Sequence, residues 1–292
     1  MLYSEHFGLT GPLFRVVAPS QPLYMGLAHR EARAALEWGL CHEPSGLTLL
    51  VGDPGTGKTT LLRSVLERSR EQTRCVIINH PTLPFDQMLR EVLNQLGISS
   101  GSSKVEMLEA FDRYLAAVEA GGRVVVIVDE AQALSDAALE EIRLLSNRGT
   151  VAEPQLHFIL VGQRELARRL LKDGLTHLND RIGARAVLDR LSRGEAFEYV
   201  EYYLRIAGSS ARRIFRRRAL RRLVDQSGGL PRRLNVLCLN AMRLAYAAGR
   251  RRVASRDARA ATDEYENFLA SAQAIESALS PGKRGWSWHG AV

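Results

Sequence analysis

Apolar positions along the first two thirds of the chain form short runs set between longer amphipathic stretches. The runs are Leu47 to Val51, Cys75 to Ile78, Val124 to Val128, Leu156 to Val161 and Ala186 to Leu188, and the stretches between them are of helix length. Runs of this kind read as strands buried on both faces. A parallel pair needs a crossover long enough to hold a helix, so the alternation predicts an α/β fold with a five-stranded parallel sheet covered on both sides. A helix is expected ahead of the first strand, from Ala28 to Leu40, where Leu36 and Leu40 lie four apart. Residues 1–26 hold Pro, Gly and the aromatics Phe7, Phe14 and Tyr24 without a clear period, and read as an extended arm.

After Leu191 the strand pattern stops. Ser192 and Glu195 form an S-x-x-E capping box that opens a helix through about Ile206, ended by Gly208. Further helical patterns end at Gly228-Gly229, start near Pro231, and run from about Ser255 to Ala278. The expected organisation is an arm over 1–26, an α/β domain over 27–191, a smaller all-helical lid over 192–278 and a loose tail over 279–292.

The 292 residues are 46% hydrophobic and 25% charged, which fits a globular protein and excludes a disordered or fibrous chain. Cys41, Cys75 and Cys238 lie far apart without metal-ligand spacing, so neither a disulfide framework nor a zinc site is expected, and a reducing cytoplasm fits best. No apolar run approaches the roughly 20 residues of a spanning helix, and no signal-peptide pattern opens the chain, so direct membrane insertion is not expected. The net charge of +8 divides unevenly: residues 1–204 carry −4 and residues 205–292 carry +12. Nearly all of the basicity is arginine, with only four lysines in the chain, which can reflect the composition of the source genome as much as function.

Chemistry concentrates after the first and third strands. Gly52-Asp53-Pro54-Gly55-Thr56-Gly57-Lys58-Thr59 satisfies G-x-x-x-x-G-K-[ST] between a predicted strand and a predicted helix, the context that this phosphate loop requires. Its glycines let main-chain N–H groups surround phosphates, Lys58 reaches the β and γ phosphates, the Thr59 hydroxyl holds Mg²⁺, and Thr60 follows in the helix's first turn. Seventy residues after Thr59, the strand Val124 to Val128 ends in Asp129-Glu130. Carboxylates at the end of a parallel strand face a ligand there, with Asp129 suited to the magnesium and Glu130 to polarising the attacking water. Gln163, at the end of the fourth run, could hydrogen-bond that water or the γ-phosphate. Arg232, beside Pro231 at the start of a helix, is placed to reach the γ-phosphate from the lid.

The order of nucleotide loop, Asp-Glu strand, polar strand end and Gly-Gly-x-Pro-Arg in a helical lid resembles the AAA+ ATPases. More narrowly, the chain is similar to the general secretion pathway protein A (ExeA-type) family. Tyr3 with Phe7-Gly8-Leu9, Pro22-Leu23-Tyr24, His29-Arg-Glu-Ala32, Asn79-His-Pro-Thr-Leu83, Asp129-Glu-Ala-Gln132, Leu160-Val-Gly-Gln163 and Ser227-Gly-Gly-Leu-Pro-Arg232 carry this resemblance, over roughly residues 1–265. It implies hydrolysis of ATP with Mg²⁺ in a homo-oligomeric ring or filament, each site completed by a neighbour's arginine. The family's Gln-Arg-Ile-x-x-Arg stretch falls on Asp180 to Arg185, which makes Arg181 and Arg185 finger candidates, with Arg148 a third. Arg164 replaces a proline usual in the family's Val-Gly-Gln-Pro, and Asn147-Arg-Gly-Thr150 also departs from the family pattern. Larger members add a membrane segment and a periplasmic domain, and this chain reads as a short form. Two outputs follow: assembly of a secretion or pilus machine through a protein partner, or a DNA-binding ATP-dependent switch of the transposition-ATPase kind, with double-stranded DNA and a recombination partner. The cluster Arg212, Arg213, Arg216, Arg217, Arg218, Arg221 and Arg222 bears on the second. Spacing puts Arg218, Arg221 and Arg222 on one helical side, either as a solvated face or as a strip against a phosphate backbone.

Overall fold

The computed structural model of the chain describes residues 3–11, 13–14, 23–67, 73–79, 81–118, 122–148 and 155–279. The tail expected over 279–292, except Leu279, and the middle of the expected arm lie outside the described residues. In chain order come α1 (Tyr3–His6), α2 (Leu27–His42), β1 (Leu47–Gly52), α3 (Lys58–Leu66), β2 (Thr73–Ile78), α4 (Phe85–Gln95) and α5 (Lys104–Ala116). Then follow β3 (Arg123–Val128), α6 (Asp136–Leu145), β4 (Leu156–Gly162), α7 (Arg164–Leu170), α8 (Thr176–Arg181) and β5 (Ala184–Leu188). The last elements are α9 (Arg193–Ile206), α10 (Ala211–Ile214), α11 (Arg217–Ser227), α12 (Pro231–Ala247) and α13 (Ser255–Leu279). No helix among the described residues is long and apolar enough to cross a membrane.

Two compact units result. The first takes the described residues from Leu23 to Glu195 together with Leu230–Arg232; the second takes those up to Phe14, Ala196–Gly229 and those from Arg233 onward.

The first unit is built on a five-stranded parallel sheet in the order β2-β3-β4-β1-β5. Successive side chains point to opposite faces, and both faces are apolar. Leu49 and Val51 of β1, Val126 and Val128 of β3 and Phe158 and Leu160 of β4 share one core with Leu89 of α4, Phe111 of α5 and Leu139 of α6. Leu50, Val125, Ile127, Ile159 and Val161 point the other way and pack with Leu36 of α2 and Leu61 of α3. On the open edge of β2, the Gln95 amide accepts from Ile77 N at 3.1 Å and donates to Ile77 O at 3.0 Å, filling hydrogen bonds that a further strand would take. Within the sheet sits one polar pair, Thr48 Oγ1 and His157 Nε2, 2.8 Å apart and inaccessible to solvent. The predicted capping box is present: Glu195 N donates to Ser192 Oγ at 3.3 Å and Ser192 N to Glu195 Oε2 at 2.8 Å. The same carboxylate accepts from Leu27 N at 2.6 Å, so Glu195 also caps α2.

The second unit buries Tyr199, Tyr203 and Leu204 of α9, Leu220, Leu223 and Val224 of α11, and Leu237, Cys238 and Met242 of α12. One expectation needs correction here. The described part of residues 3–14 is not an extended arm: Phe7, Leu9 and Leu13 are buried, and Thr10 N donates to Ala207 O at 2.9 Å. Of the aromatics that blurred the period, Phe7 is a core residue and Phe14 is half-buried, with the Tyr3 and Phe7 rings edge to face at 5.4 Å. The described elements of the unit are all helices, as expected, and between them Phe215 and Val253 form one isolated parallel β-bridge in which Arg216 N donates to Val253 O at 3.0 Å and Val253 N to Ile214 O at 2.7 Å. A bridge one residue long leaves no period in the sequence.

Candidate functional site

β1 ends at Gly52 and α3 begins at Lys58, so residues 53–57 make the turn between a central strand and a helix N-terminus. Gly55 at φ +83° and Gly57 at φ +104° adopt left-handed backbone that a side chain would strain. The Thr56 side chain is buried, and its hydroxyl and N–H donate to Asp53 O at 2.9 and 3.3 Å, closing the turn on itself. Pro54 is exposed at its tip and Thr60 half-buried in the first turn of α3. The four leading N–H groups of a helix lack intrahelical acceptors, so the start of α3 offers donors and a positive dipole end to an anion.

Lys58 is almost wholly buried, and its ammonium donates to Gly52 O at 2.9 Å and Asp53 O at 3.2 Å. Burial lowers its pKa, against the opposing pull of Glu130, Asp129 and Asp53. Thr59 Oγ1 donates to Asp129 Oδ2 at 3.1 Å, joining the two motifs across 70 positions of sequence. β4 lies between β1 and β3, and because all are parallel their carboxyl ends open on one edge, where Asp129 and the loop meet. Asp129 Oδ1 accepts from Glu130 N at 2.9 Å. Glu130 itself is exposed and holds φ +53°, a left-handed conformation that costs a non-glycine residue roughly 1–3 kcal/mol.

Gln132 explains how Glu130 is held. Its Nε2 donates to Glu130 Oε2 at 2.5 Å, while its Oε1 accepts from Gln163 N at 3.1 Å, so one amide ties the carboxylate to the end of β4. Gln163 is therefore linked to Glu130 through its main chain and this one side chain. Arg232 also reaches the loop through its main chain, with its N–H donating to Gly55 O at 3.2 Å and its side chain exposed.

His29 is a further neighbour. It is buried beside the loop, 3.7 Å from where a Cβ on Gly57 would stand. Burial lowers its pKa, partly offset by a hydrogen bond with the Thr56 main chain and by the Glu195 charge. Gln132 lies in Asp129-Glu-Ala-Gln132 and His29 opens His29-Arg-Glu-Ala32; the signal for Gln132 in the sequence is a polar side chain two positions after the carboxylate pair.

The structure does not bring Arg181 or Arg185 to the loop of the same chain. Gly183 N donates to Leu47 O at 3.3 Å, which sets this segment at the start of β1, opposite the loop. The Arg185 guanidinium donates to Asn179 O at 2.5 Å, Arg181 Nε is buried without a hydrogen-bond partner among the described residues, and Arg148 pairs with Asp112. In the helical unit, Arg218 and Arg221 are exposed on α11. Arg222 departs from the expected common strip: its Nε donates to Thr262 Oγ1 at 3.2 Å and its guanidinium lies 3.8 Å from Asp263, so it braces α11 against α13.

Residues 41–170 match the family described as AAA domain. Over 99% of its length the chain is 34% identical to general secretion pathway protein A of Aeromonas hydrophila, and it spans about half of that relative, 55%. Among solved structures it is similar to Cdc6p of Pyrobaculum aerophilum, at 19% identity, with 86% of this chain and 70% of that one covered and a TM-score of 0.68. It is also similar to the ADP form of the Aeropyrum pernix ORC2 protein, at 20% identity, 86% and 71% coverage and a TM-score of 0.64. At these identities the structural likeness speaks for the fold: a P-loop AAA+ arrangement of parallel sheet and helices.

Proposed function

Because the chain belongs to the AAA+ ATPase family and is related to general secretion pathway protein A, we propose that its sheet unit binds and hydrolyses MgATP. The observation that carries this reading is the 3.1 Å hydrogen bond between Thr59 and Asp129, which sets a hydroxyl and a carboxylate side by side at the mouth of a phosphate loop. Hard oxygen donors of this kind fit Mg²⁺. When bound, the ion would neutralise phosphate charge, with Thr59 and Asp129 as the residues that hold it. Lys58 leaves its loop carbonyls for the β and γ phosphates, and the donors at the start of α3 take the remaining oxygens. Glu130 accepts the proton of the water that attacks the γ-phosphate, while Gln132 fixes the carboxylate and Gln163 borders the same space. Arg232 approaches from the first turn of α12.

The biological output we favour is assembly of a secretion or pilus machine, in a homo-oligomeric ring or filament on the cytoplasmic side. Arg181 or Arg185 would serve the neighbouring subunit's site, consistent with their distance from the loop of their own chain. The exposed Arg218 and Arg221 support a second reading, a DNA-binding switch. ATPase rates with and without double-stranded DNA at about 50 and 200 mM salt separate the two, since phosphate contacts weaken steeply with salt. Salt-sensitive stimulation selects the switch, and indifference to DNA leaves the protein-assembly reading.

The test of the nucleotide reading itself is a pair of substitutions. Lys58→Ala abolishes ATP binding, whereas Glu130→Gln binds ATP and stops phosphate release. Rapid hydrolysis by the Gln variant would remove Glu130 from the role of base.

A further inference from the structure

A carboxylate is out of place in a loop that wraps a polyanion, yet Asp53 is the second residue of this one. The sheet supplies the countercharge. β1 lies between β4 and β5, all three parallel, so the chain leaves each of them at the same edge. Arg164 follows two residues after β4 and Arg190 two residues after β5. Arg190 Nε donates to Asp53 Oδ2 at 2.6 Å, and Arg164 Nε lies 3.3 Å from Asp53 Oδ1. Arg164 pairs in addition with Asp189, so two acids and two arginines close a network around the first turn of the loop.

Stability is a poor reason for such a network. Arg164 and Arg190 are about half exposed, and ion pairs of that kind contribute on the order of 0–1 kcal/mol. Their effect on charge is another matter. Asp53 also pulls on the Lys58 ammonium, which donates to the Asp53 carbonyl at 3.2 Å. A bare carboxylate would compete with phosphate for that lysine and repel the phosphate as well. The hydrogen bond from Arg190, followed by the charges of both arginines, keeps the Asp53 carboxyl below the usual carboxylate range, the mark of a countercharge acting on it.

We propose that Arg190 and Arg164 are positioning residues that neutralise Asp53, so that the phosphate loop accepts a nucleoside triphosphate. The arginines act through Asp53 and do not touch the phosphates. The inference rests on the nucleotide reading above and adds what sets affinity at that site. It gives Arg164 a part in the site, as a charge held at the loop.

Calorimetric titration of the full chain with MgATP and MgADP tests it, using Arg190→Ala, Arg164→Ala, Asp53→Asn and the double variant Asp53→Asn/Arg190→Ala. Removing Arg190 alone is expected to weaken MgATP binding about tenfold, and MgADP, with less charge, by less. Removing Arg164, at the longer distance, has a smaller effect. Asp53→Asn binds at least as tightly as the unsubstituted chain, and in that background the loss of Arg190 changes affinity by less than about twofold. Suppression of one defect by removing its partner is a result that a merely structural brace does not give. The proposal falls if Arg190→Ala leaves affinity unchanged, if its defect persists undiminished in the double variant, or if Asp53→Asn weakens binding as much as Arg190→Ala. Failure of the unsubstituted chain to bind MgATP would overturn the nucleotide reading itself, and is distinguishable from all three.

Discussion

Acid should destabilise the sheet unit through a histidine buried within the sheet. His157 sits on β4, between β1 and β3, with no exposed surface, and its side chain meets Thr48 Oγ1 at 2.8 Å. Its Nδ1 is buried without a hydrogen-bond partner among the described residues. Burial, assisted by the positive charge of Arg123, lowers its pKa from 6.5 to about 3. The folded state therefore keeps the imidazole neutral where the unfolded chain would protonate it. Protons favour the unfolded state, so the stabilisation is complete above the ordinary pKa of about 6.5 and is lost progressively as pH falls from there toward the folded value near 3. Each pH unit inside this window is worth about 1.4 kcal/mol, so a fall from about pH 7 to pH 5 costs about 2 kcal/mol. His157→Gln removes the titration and leaves a polar partner for Thr48. Urea unfolding followed by circular dichroism at about pH 7 and pH 5, on the unsubstituted chain and the variant, measures the difference. The variant should be less stable than the unsubstituted chain near neutrality and lose about 2 kcal/mol less on acidification. An equal loss in both proteins would refute the argument and assign the acid sensitivity to other groups.

Three further expectations concern the site and the arginines. Gln132→Ala removes a hydrogen bond to an ionised group, worth about 1.5–3 kcal/mol, and should lower kcat about tenfold or more with little change in KM for ATP, because Glu130 loses its hold and the phosphate loop does not; a change confined to KM in steady-state phosphate release would contradict it. Arg181→Ala should lose activity and regain it in mixed assemblies with Lys58→Ala subunits, whose intact Arg181 completes the neighbouring site; absence of rescue would move the finger elsewhere. Arg222→Ala should lower thermal stability by about 1 kcal/mol through loss of its contacts to Thr262 and Asp263, whereas Arg218→Ala should not, since it lies exposed.

The strands and the two carboxylates were legible because each is a local pattern. β3 reads Arg-Val-Val-Val-Ile-Val, buried along all but its first residue, and such a run admits few other structures. The loop from Gly52 to Thr59 is likewise a matter of spacing between neighbours in sequence. What the pattern could not show is which strand lies beside which. Arg164 and Arg190 meet Asp53 only because β4 and β5 flank β1, and Gln132 reaches Gln163 N only because β3 and β4 are adjacent. These contacts depend on sheet order, a property of long-range pairing that no window of sequence contains. The same reasoning applies to Arg222, which shares a helical side with Arg218 and Arg221 by spacing, yet faces α13 by packing.

The same division separates two kinds of residue at the site. The residues legible from sequence are those that would touch phosphate, metal and water directly, and their chemistry is fixed by the reaction. The residues whose part became visible only in the fold act on them: Gln132 on Glu130, Arg190 and Arg164 on Asp53, and His29 on the loop itself. Each holds a group of the loop or of its carboxylates that could otherwise move or repel substrate, and each comes from a different segment of the chain. Affinity and rate at this site should therefore respond separately to the two sets. Changes in the first abolish the reaction, whereas changes in the second shift KM or kcat without erasing it.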